Sequence, residues 1–223
     1  MGDETQSPAA WVKVRPLTPS RWKDLAKLFG KSGACSGCWC MWWRQTRAEF
    51  ASRAGKSNRR ALRRIVSSGR VPGLIAYLGE QPVGWCSIAP RTEFPSLDRS
   101  PILKRVDDRA VWSLVCFFVA RGARKRGVSL QLLKAAVVYA RREGARIVEA
   151  YPIDAEGGAT RDGAAFTGFA STFRRAGFVE VARNSPRRPI VRLALSRVPS
   201  AARAGETLAA RGERAAVKAP ADT

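Results

Sequence analysis

The stretch VWSLVCFFVARGARKRGVSLQLLKAAVVYARREG, residues 111–144, decides how the rest of the chain is read. Its first part, Val111 to Ala120, is an apolar run rich in aromatic and β-branched residues, with the length of a strand buried on both faces. A basic, Gly-containing turn follows from Arg121 to Gly127. Leu130, Leu132, Leu133, Ala136, Val137 and Ala140 then recur at helical spacing until Gly144 stops the helix. A strand feeding such a turn at a helix N-terminus offers an anion free backbone N–H groups and the positive end of the helix dipole. Arg124, Lys125 and Arg126 add charge there. The turn has neither the Gly-Lys-Ser/Thr ending of a Walker loop nor the G-x-G-x-x-G of a dinucleotide fingerprint.

Upstream, WVKVRPL (11–17) reads as a strand, and Pro19-Ser20 opens a helix through Phe29 that Gly30 ends. A short helix is expected from about Trp42. A second, RRALRRIVSSG, is expected with Ser57-Asn58 as its cap and Arg59, Arg60, Arg63 and Arg64 on its outer side. GLIAYLG (73–79) and PVGWCSIAP (82–90) read as a hairpin, and 91–110 as a polar loop. Downstream come a buried strand over 145–154 and a Gly-rich loop, EGGATRDGAAFTG, placed to act as a lid. A short helix FASTFRRAG (169–177) and an antiparallel pair, FVEVA (178–182) and PIVRLAL (189–195), follow. One domain is expected over 10–197, with disorder at 1–9 and in the Ala/Arg-rich tail 198–223.

The hydrophobic content of 45 % is that of a globular body. No apolar run reaches membrane-spanning length and the first residues are not a signal peptide, so a cytoplasmic protein without membrane contact is expected. The odd count of five Cys disfavours a disulfide framework. There is no His, which excludes Ser-His-Asp and Cys-His chemistry. The net charge of +22 favours a polyanionic partner such as tRNA, unless a GC-rich genome alone accounts for the Arg. The excess lies in the body, and from Arg44 to Arg70 nine basic residues face only Glu49.

Arg124-Lys125-Arg126-Gly127-Val128-Ser129 resembles motif A of the GNAT acyltransferases, Arg/Gln-x-x-Gly-x-Gly/Ala, with Ser in the last place. The element order and the R-R-A-G-F before the closing pair are also similar to that family. So is the C-W-C-M-x-W-R segment of a bacterial subgroup, here from Cys38. The resemblance implies an α/β (α+β) GNAT fold, a mixed sheet of about six or seven strands flanked by helices. It implies acetyl-CoA or another acyl-CoA as donor, the amine of a small molecule as acceptor, and a monomer or homodimer. An aminoacyl-tRNA donor on the same fold and a non-catalytic CoA-binding module stay open as alternatives.

By the same resemblance, the backbone of Phe117, Phe118 and Val119 would pair with the pantetheine arm, and Arg124 to Ser129 would hold the pyrophosphate. Phe173, counted with the cofactor-binding residues, stands where many members carry a Tyr that acts as the acid, and the central strand lacks the Glu that many use as base. Ser171 or Thr172 could replace the Tyr as donor, with Asp154, Glu93 or Asp98 as candidate bases. Trp39, Met41, Trp42, Trp43 and Arg44, joined by Trp85, would line the acceptor side; ordinary core packing is the competing reading. Cys35, Cys38 and Cys40, with Cys86 or Cys116 as a fourth, invite a zinc reading. One compact group without a second pair or a His argues against it, and no metal is expected.

Overall fold

In a computed structural model the chain forms one seven-stranded mixed sheet, in the order β1-β2-β3-β4-β5-β7-β6. Residues 12–155 and 162–196 are described. The expected disorder at 1–9 and 198–223, and part of the expected lid, lie outside them. The strands are β1 Val12–Pro16, β2 Gly73–Leu78, β3 Gln81–Pro90, β4 Trp112–Val119, β5 Ile147–Ala150, β6 Val179–Arg183 and β7 Pro189–Ala194. Helices α1 Trp22–Phe29, α2 Arg47–Ser52 and α3 Lys56–Ser67 precede β2. Helix α4 Pro95–Asp98 follows β3, α5 Val128–Arg142 follows β4, and α6 Ala170–Arg175 follows β5.

The apolar stripe of α5 (Leu132, Leu133, Ala136, Ala140) packs on one sheet face with Leu74, Ala76, Ile88, Leu114 and Val148. Residues Leu25 and Phe29 of α1 and Leu62 and Val66 of α3 cover the other face at Ile75, Tyr77 and Trp85. Burying apolar groups on both faces is what β2, β3 and β4 need, because their sequences carry no polar side to turn to water.

Three local expectations are corrected. The short helix starts at Arg47, not near Trp42. Thr46 accepts from the Glu49 amide while Glu49 takes the Thr46 N–H, a reciprocal cap that fixes the start. Helix α3 begins at Lys56 with Gly55 as its cap residue, so Ser57 and Asn58 lie inside it. Asn58 is buried there, and its Nδ2 donates to the Gly37 carbonyl at 3.1 Å, holding the Cys-rich segment against α3. The polar loop 91–110 contains a 3-10 turn, Arg91–Glu93, and the short α4.

Gly73 is fixed by close approach rather than by its dihedrals. A Cβ there would fall 2.1 Å from the Cys86 carbonyl oxygen and 2.6 Å from the Trp85 ring. Gly73→Ala must push β2 from β3, and its expected cost is at the upper end of overpacking, about 3 kcal/mol in a denaturant titration. A loss below about 0.5 kcal/mol would show that the hairpin is looser than described.

Candidate donor cradle and acceptor side

The sheet opens where β4 leaves β5. Their parallel pairing covers only Trp112–Leu114 against Val148–Ala150. Beyond Leu114 the two strands part, so among the described residues the β5-side edge of Val115–Val119 pairs with no strand. The wedge is entered by Gly168–Ala170. The Ile153 amide donates to the Gly168 carbonyl at 2.8 Å, and the Ala170 amide to the Ile153 carbonyl at 2.9 Å. The turn Asp162–Thr167 lies alongside β4. Gly168 has φ +82° and a Cβ there would meet the Phe173 ring at 2.9 Å, so Gly is needed for the chain to enter the wedge.

At the point of parting β4 carries a bulge. Ser87 pairs with Cys116 and Ile88 with Leu114, which leaves Val115 as an extra residue. Trp43 Nε1 donates to the Val115 carbonyl at 3.2 Å. The bulge therefore sits between the wedge and the segment before α2.

The turn after β4 has the backbone of an anion nest. Lys125 has φ 60° and Gly127 φ 74°, both left-handed, and α5 starts directly after Gly127. Among the described residues, the amides of Lys125 to Ser129 bond to no backbone carbonyl. Their free N–H groups, the helix dipole and three exposed cationic side chains act at one place. Gly127 has open space where a Cβ would be. Arg124 Nε donates to the Val119 carbonyl at 3.3 Å, so that carbonyl already has a partner.

Around this wedge the Acetyltransferase (GNAT) family model matches residues 38–160, just over half of the chain. The chain belongs to the GNAT acetyltransferase family. An N-acetyltransferase from Staphylococcus aureus Mu50 is 13 % identical, covers 83 % of this chain and 99 % of its own, and superposes with a TM-score of 0.50. A GNAT-family acetyltransferase from Listeria monocytogenes 4b F2365 is 11 % identical, covers 82 % of this chain and 95 % of its own, with a TM-score of 0.51. At such identities these likenesses concern the fold. No curated protein matches the chain.

The residues expected from the GNAT resemblance fall into separate settings. Phe117 is buried and meets Phe173 edge-on at 6.1 Å; Phe173 meets Phe178 at 5.2 Å. Phe118 turns to the other face and packs on Phe29 at 5.7 Å. Val128 is buried under the turn and Ser129 is half-buried at the first turn of α5. In α6, Ser171 is exposed and Thr172 half-buried. Asp154 is bound by Arg183 at 2.9 Å. Glu93 is bound by both Arg44 and Arg70 at 2.8 Å, and Asp98 by Arg91 at 2.9 Å. Each candidate base is thus held by a guanidinium.

The aromatic wall divides. Trp39 stacks on Trp22 at 6.0 Å, and Trp85 meets Phe29 at 5.8 Å, both inside the core. Both are buried, the setting of the packing reading, and the chain at Trp39 and Cys40 is left-handed (φ 46° and 53°). Trp42 packs on Phe50 at 4.9 Å, while Trp43 reaches the bulge. Met41 and Arg44 line a cleft beside α3.

Among the described residues no three of Cys, His, Asp and Glu form a metal-holding group. Cys35 is exposed beside Ser36, and Cys86 lies under α5 with its thiol pushed up to about 12 by burial. Cys40 Sγ accepts the Trp85 indole N–H at 3.0 Å and lies 3.4 Å from Cys116 Sγ on β4. The bond to Cys116 and burial push the Cys40 thiol well up, and the bond to Cys40 and burial do the same for Cys38, so both stay protonated.

One buried network escaped the linear reading. Glu149 on β5, 1 % exposed, accepts from Arg91 Nη1 at 2.8 Å, Arg192 Nε at 2.7 Å and the Tyr151 hydroxyl at 2.6 Å. The Tyr151 and Ser113 hydroxyls are 2.8 Å apart, which ties β5 to β4 just before the strands part. Burial and the Glu149 charge raise the Tyr151 phenol, so it remains a donor. Glu149 and Tyr151 share a face by their i, i+2 spacing, a signal present in the sequence.

Arg192 also binds Asp107 at 2.6 Å, and Arg192 and Arg109 hold the Asp107 carboxyl well below the usual carboxylate range. A depressed folded-state pKa gives stability that is complete above the unfolded value and lost as pH falls through the folded one. Stability is therefore expected to fall below about pH 4, and Asp107→Asn to flatten that fall in acid titrations followed by circular dichroism. An unchanged acid slope in the variant would remove Asp107 from the account.

Proposed function

We propose that this GNAT protein is an N-acyltransferase that carries an acetyl group from acetyl-CoA to the amine of a small acceptor. The observation that carries the reading is the nest of Lys125 and Gly127 at the start of α5, beside the part of β4 that has left its pairing with β5. A pyrophosphate fits the free amides of the nest, and an extended pantetheine amide chain fits the strand edge at Phe117–Val119. The thioester would then reach the bulge at Val115, where a ladder interrupted on one side leaves backbone N–H groups to polarise its carbonyl.

A neutral amine attacks that carbonyl, the tetrahedral oxyanion collapses, and coenzyme A leaves as the thiolate. Phe173 has no proton to give the departing sulfur, so Ser171, Thr172 or water supplies it. Because Glu93, Asp98 and Asp154 are each ion-paired, water is the favoured acceptor of the amine proton. Such an enzyme gains rate mainly from positioning and should quicken as pH rises and more acceptor amine becomes neutral.

The test measures coenzyme A thiol release from acetyl-CoA with a panel of amines, together with thermal unfolding. Acetyl-CoA at about 100 times its Kd should add about 2.7 kcal/mol of stability. No stabilisation and no thiol release with any amine would remove the reading. An aminoacyl-tRNA donor is the second reading, favoured by the exposed Arg60 and Arg64 of α3. It requires tRNA binding that weakens steeply with salt. Arg59 and Arg63 count less for it, since they lie over the Trp39 and Trp22 rings at 5.3 and 5.9 Å.

A further inference from the structure

The cleft between the segment before α2 and helix α3, about 330 Å³, is walled by Arg44, Gln45, Glu49, Arg53, Arg64 and Arg70. Arg44 is its base. Its side chain is 4 % exposed, lies over the Phe94 ring at 4.5 Å, and gives Nη1 to Glu93 at 2.8 Å. Its Nε and Nη2 are buried and find no acceptor among the described residues. Gln45 Oε1, also buried on this wall, has no donor among the described residues. Buried guanidinium N–H groups without partners are uncommon, because each forfeits its hydration with nothing in return. Four guanidiniums face two carboxylates here. Glu93 is shared by Arg44 and Arg70, Glu49 is occupied with the Thr46 cap, and Arg53 stands 3.7 Å from Glu49. Arg64 has no part in the ion pairs of this cleft among the described residues.

We infer that this cleft is an oxyanion site for a carboxylate or phosphate. The planar fork of Arg44 can pair through Nε and Nη2 with two oxygens of one such group, while Arg64 and Arg70 close over it. The Gln45 amide turned to the ligand offers either a donor to the oxyanion or an acceptor to a neighbouring ammonium or hydroxyl. The cleft is also joined to β4 through the chain neighbours of two of its lining residues. Trp43, the residue before Arg44, is bonded to the bulge carbonyl, and Cys40, the residue before Met41, touches Cys116 of β4. A small acceptor with its amine at the bulge and an acidic group a few bonds away therefore has a place for that group. This assignment to the acceptor rests on the acyl-transfer reading; the oxyanion site itself does not.

The probe is inorganic phosphate, titrated calorimetrically into the full-length protein at low ionic strength. Arg64→Gln and Arg70→Gln, both at exposed positions, should each weaken binding about tenfold or more. Arg60→Gln removes the same charge from α3 outside the cleft and should leave binding unchanged. No phosphate binding by the wild type, or an equal loss in all three variants, would overturn the site in favour of a diffuse basic surface. The source of the anion is read from acetyl transfer to β-alanine against β-alaninamide. A preference for β-alanine that disappears in Arg64→Gln assigns the site to the acceptor. Phosphate binding that depends on Arg64 without any such preference upholds the site and assigns it to a separate anion. If acetyl-CoA neither stabilises the protein nor is consumed, the acyl-transfer reading fails while the phosphate titration still decides the site.

Discussion

Gly127→Asp is expected to leave the protein folded and to abolish its stabilisation by acetyl-CoA. Residue 127 is left-handed, with φ 74°, a region Asp enters more readily than most residues with a side chain. Apart from its own and its neighbours' backbone, no atom of the described residues lies within 4 Å of where a Cβ would be, and a carboxylate at a helix N-terminus interacts well with the dipole. The fold should therefore lose no more than about 1 kcal/mol. The same carboxylate, however, sits among the free amides of Lys125 to Ser129, where the pyrophosphate would bind. It satisfies the N–H groups that would otherwise hold the donor and repels the donor's charge at contact distance. A shift in thermal midpoint seen with acetyl-CoA for the wild type should vanish in the variant. Normal binding by a folded Gly127→Asp protein would show that the donor is held elsewhere.

Glu149→Ala should have the largest effect on stability. It leaves Arg91 and Arg192, each with a side chain 5 % exposed, buried without the carboxylate they share. Tyr151 loses its acceptor as well. Removing one partner from a buried ionic network costs about 3–5 kcal/mol. At about 2–4 °C per kcal/mol for a domain of this size, the midpoint should drop by roughly 10 °C. Because the group is buried, the loss should persist at high salt, unlike that of a surface pair. Asp107 and Asp98 still partner the two arginines, which sets a limit on the damage. A loss under about 1 kcal/mol would mean that the network is only a surface-like contact.

The sheet and its main helices were legible because burial on both faces and helical periodicity each leave a direct trace, as in Val111–Ala120 and Leu130–Ala140. The start of α2 was legible too, in Thr46-x-x-Glu49, but the apolar Trp42 drew the reading upstream. Helix α3 misled in another way. Ser57 and Asn58 are good cap residues, yet a left-handed Gly55 starts the helix, and the Asn58 side chain serves a carbonyl 21 positions away. The nest was legible through Gly127. The bulge was not, because a continuously apolar strand has no alternation whose slip could mark Val115. Nor could spacing reveal that Arg91 and Arg192, which lie 58 and 43 positions from Glu149, converge on it. The Cys-rich segment was ambiguous for a physical reason. Trp and Cys suit a core and a pocket equally, and no spacing in the sequence announces the left-handed turns at Trp39 and Cys40 that set where their side chains go.

The central claim is that an acyl-CoA lies along β4 with its pyrophosphate on the turn before α5. Hydrogen–deuterium exchange of the full-length protein, with and without acetyl-CoA, tests it most directly. The account predicts slowed exchange in peptides covering the free amides of Lys125 to Ser129 and the stretch of β4 from Val115 to Val119 beyond its pairing with β5. Unchanged exchange there, or protection confined to α3, would contradict it.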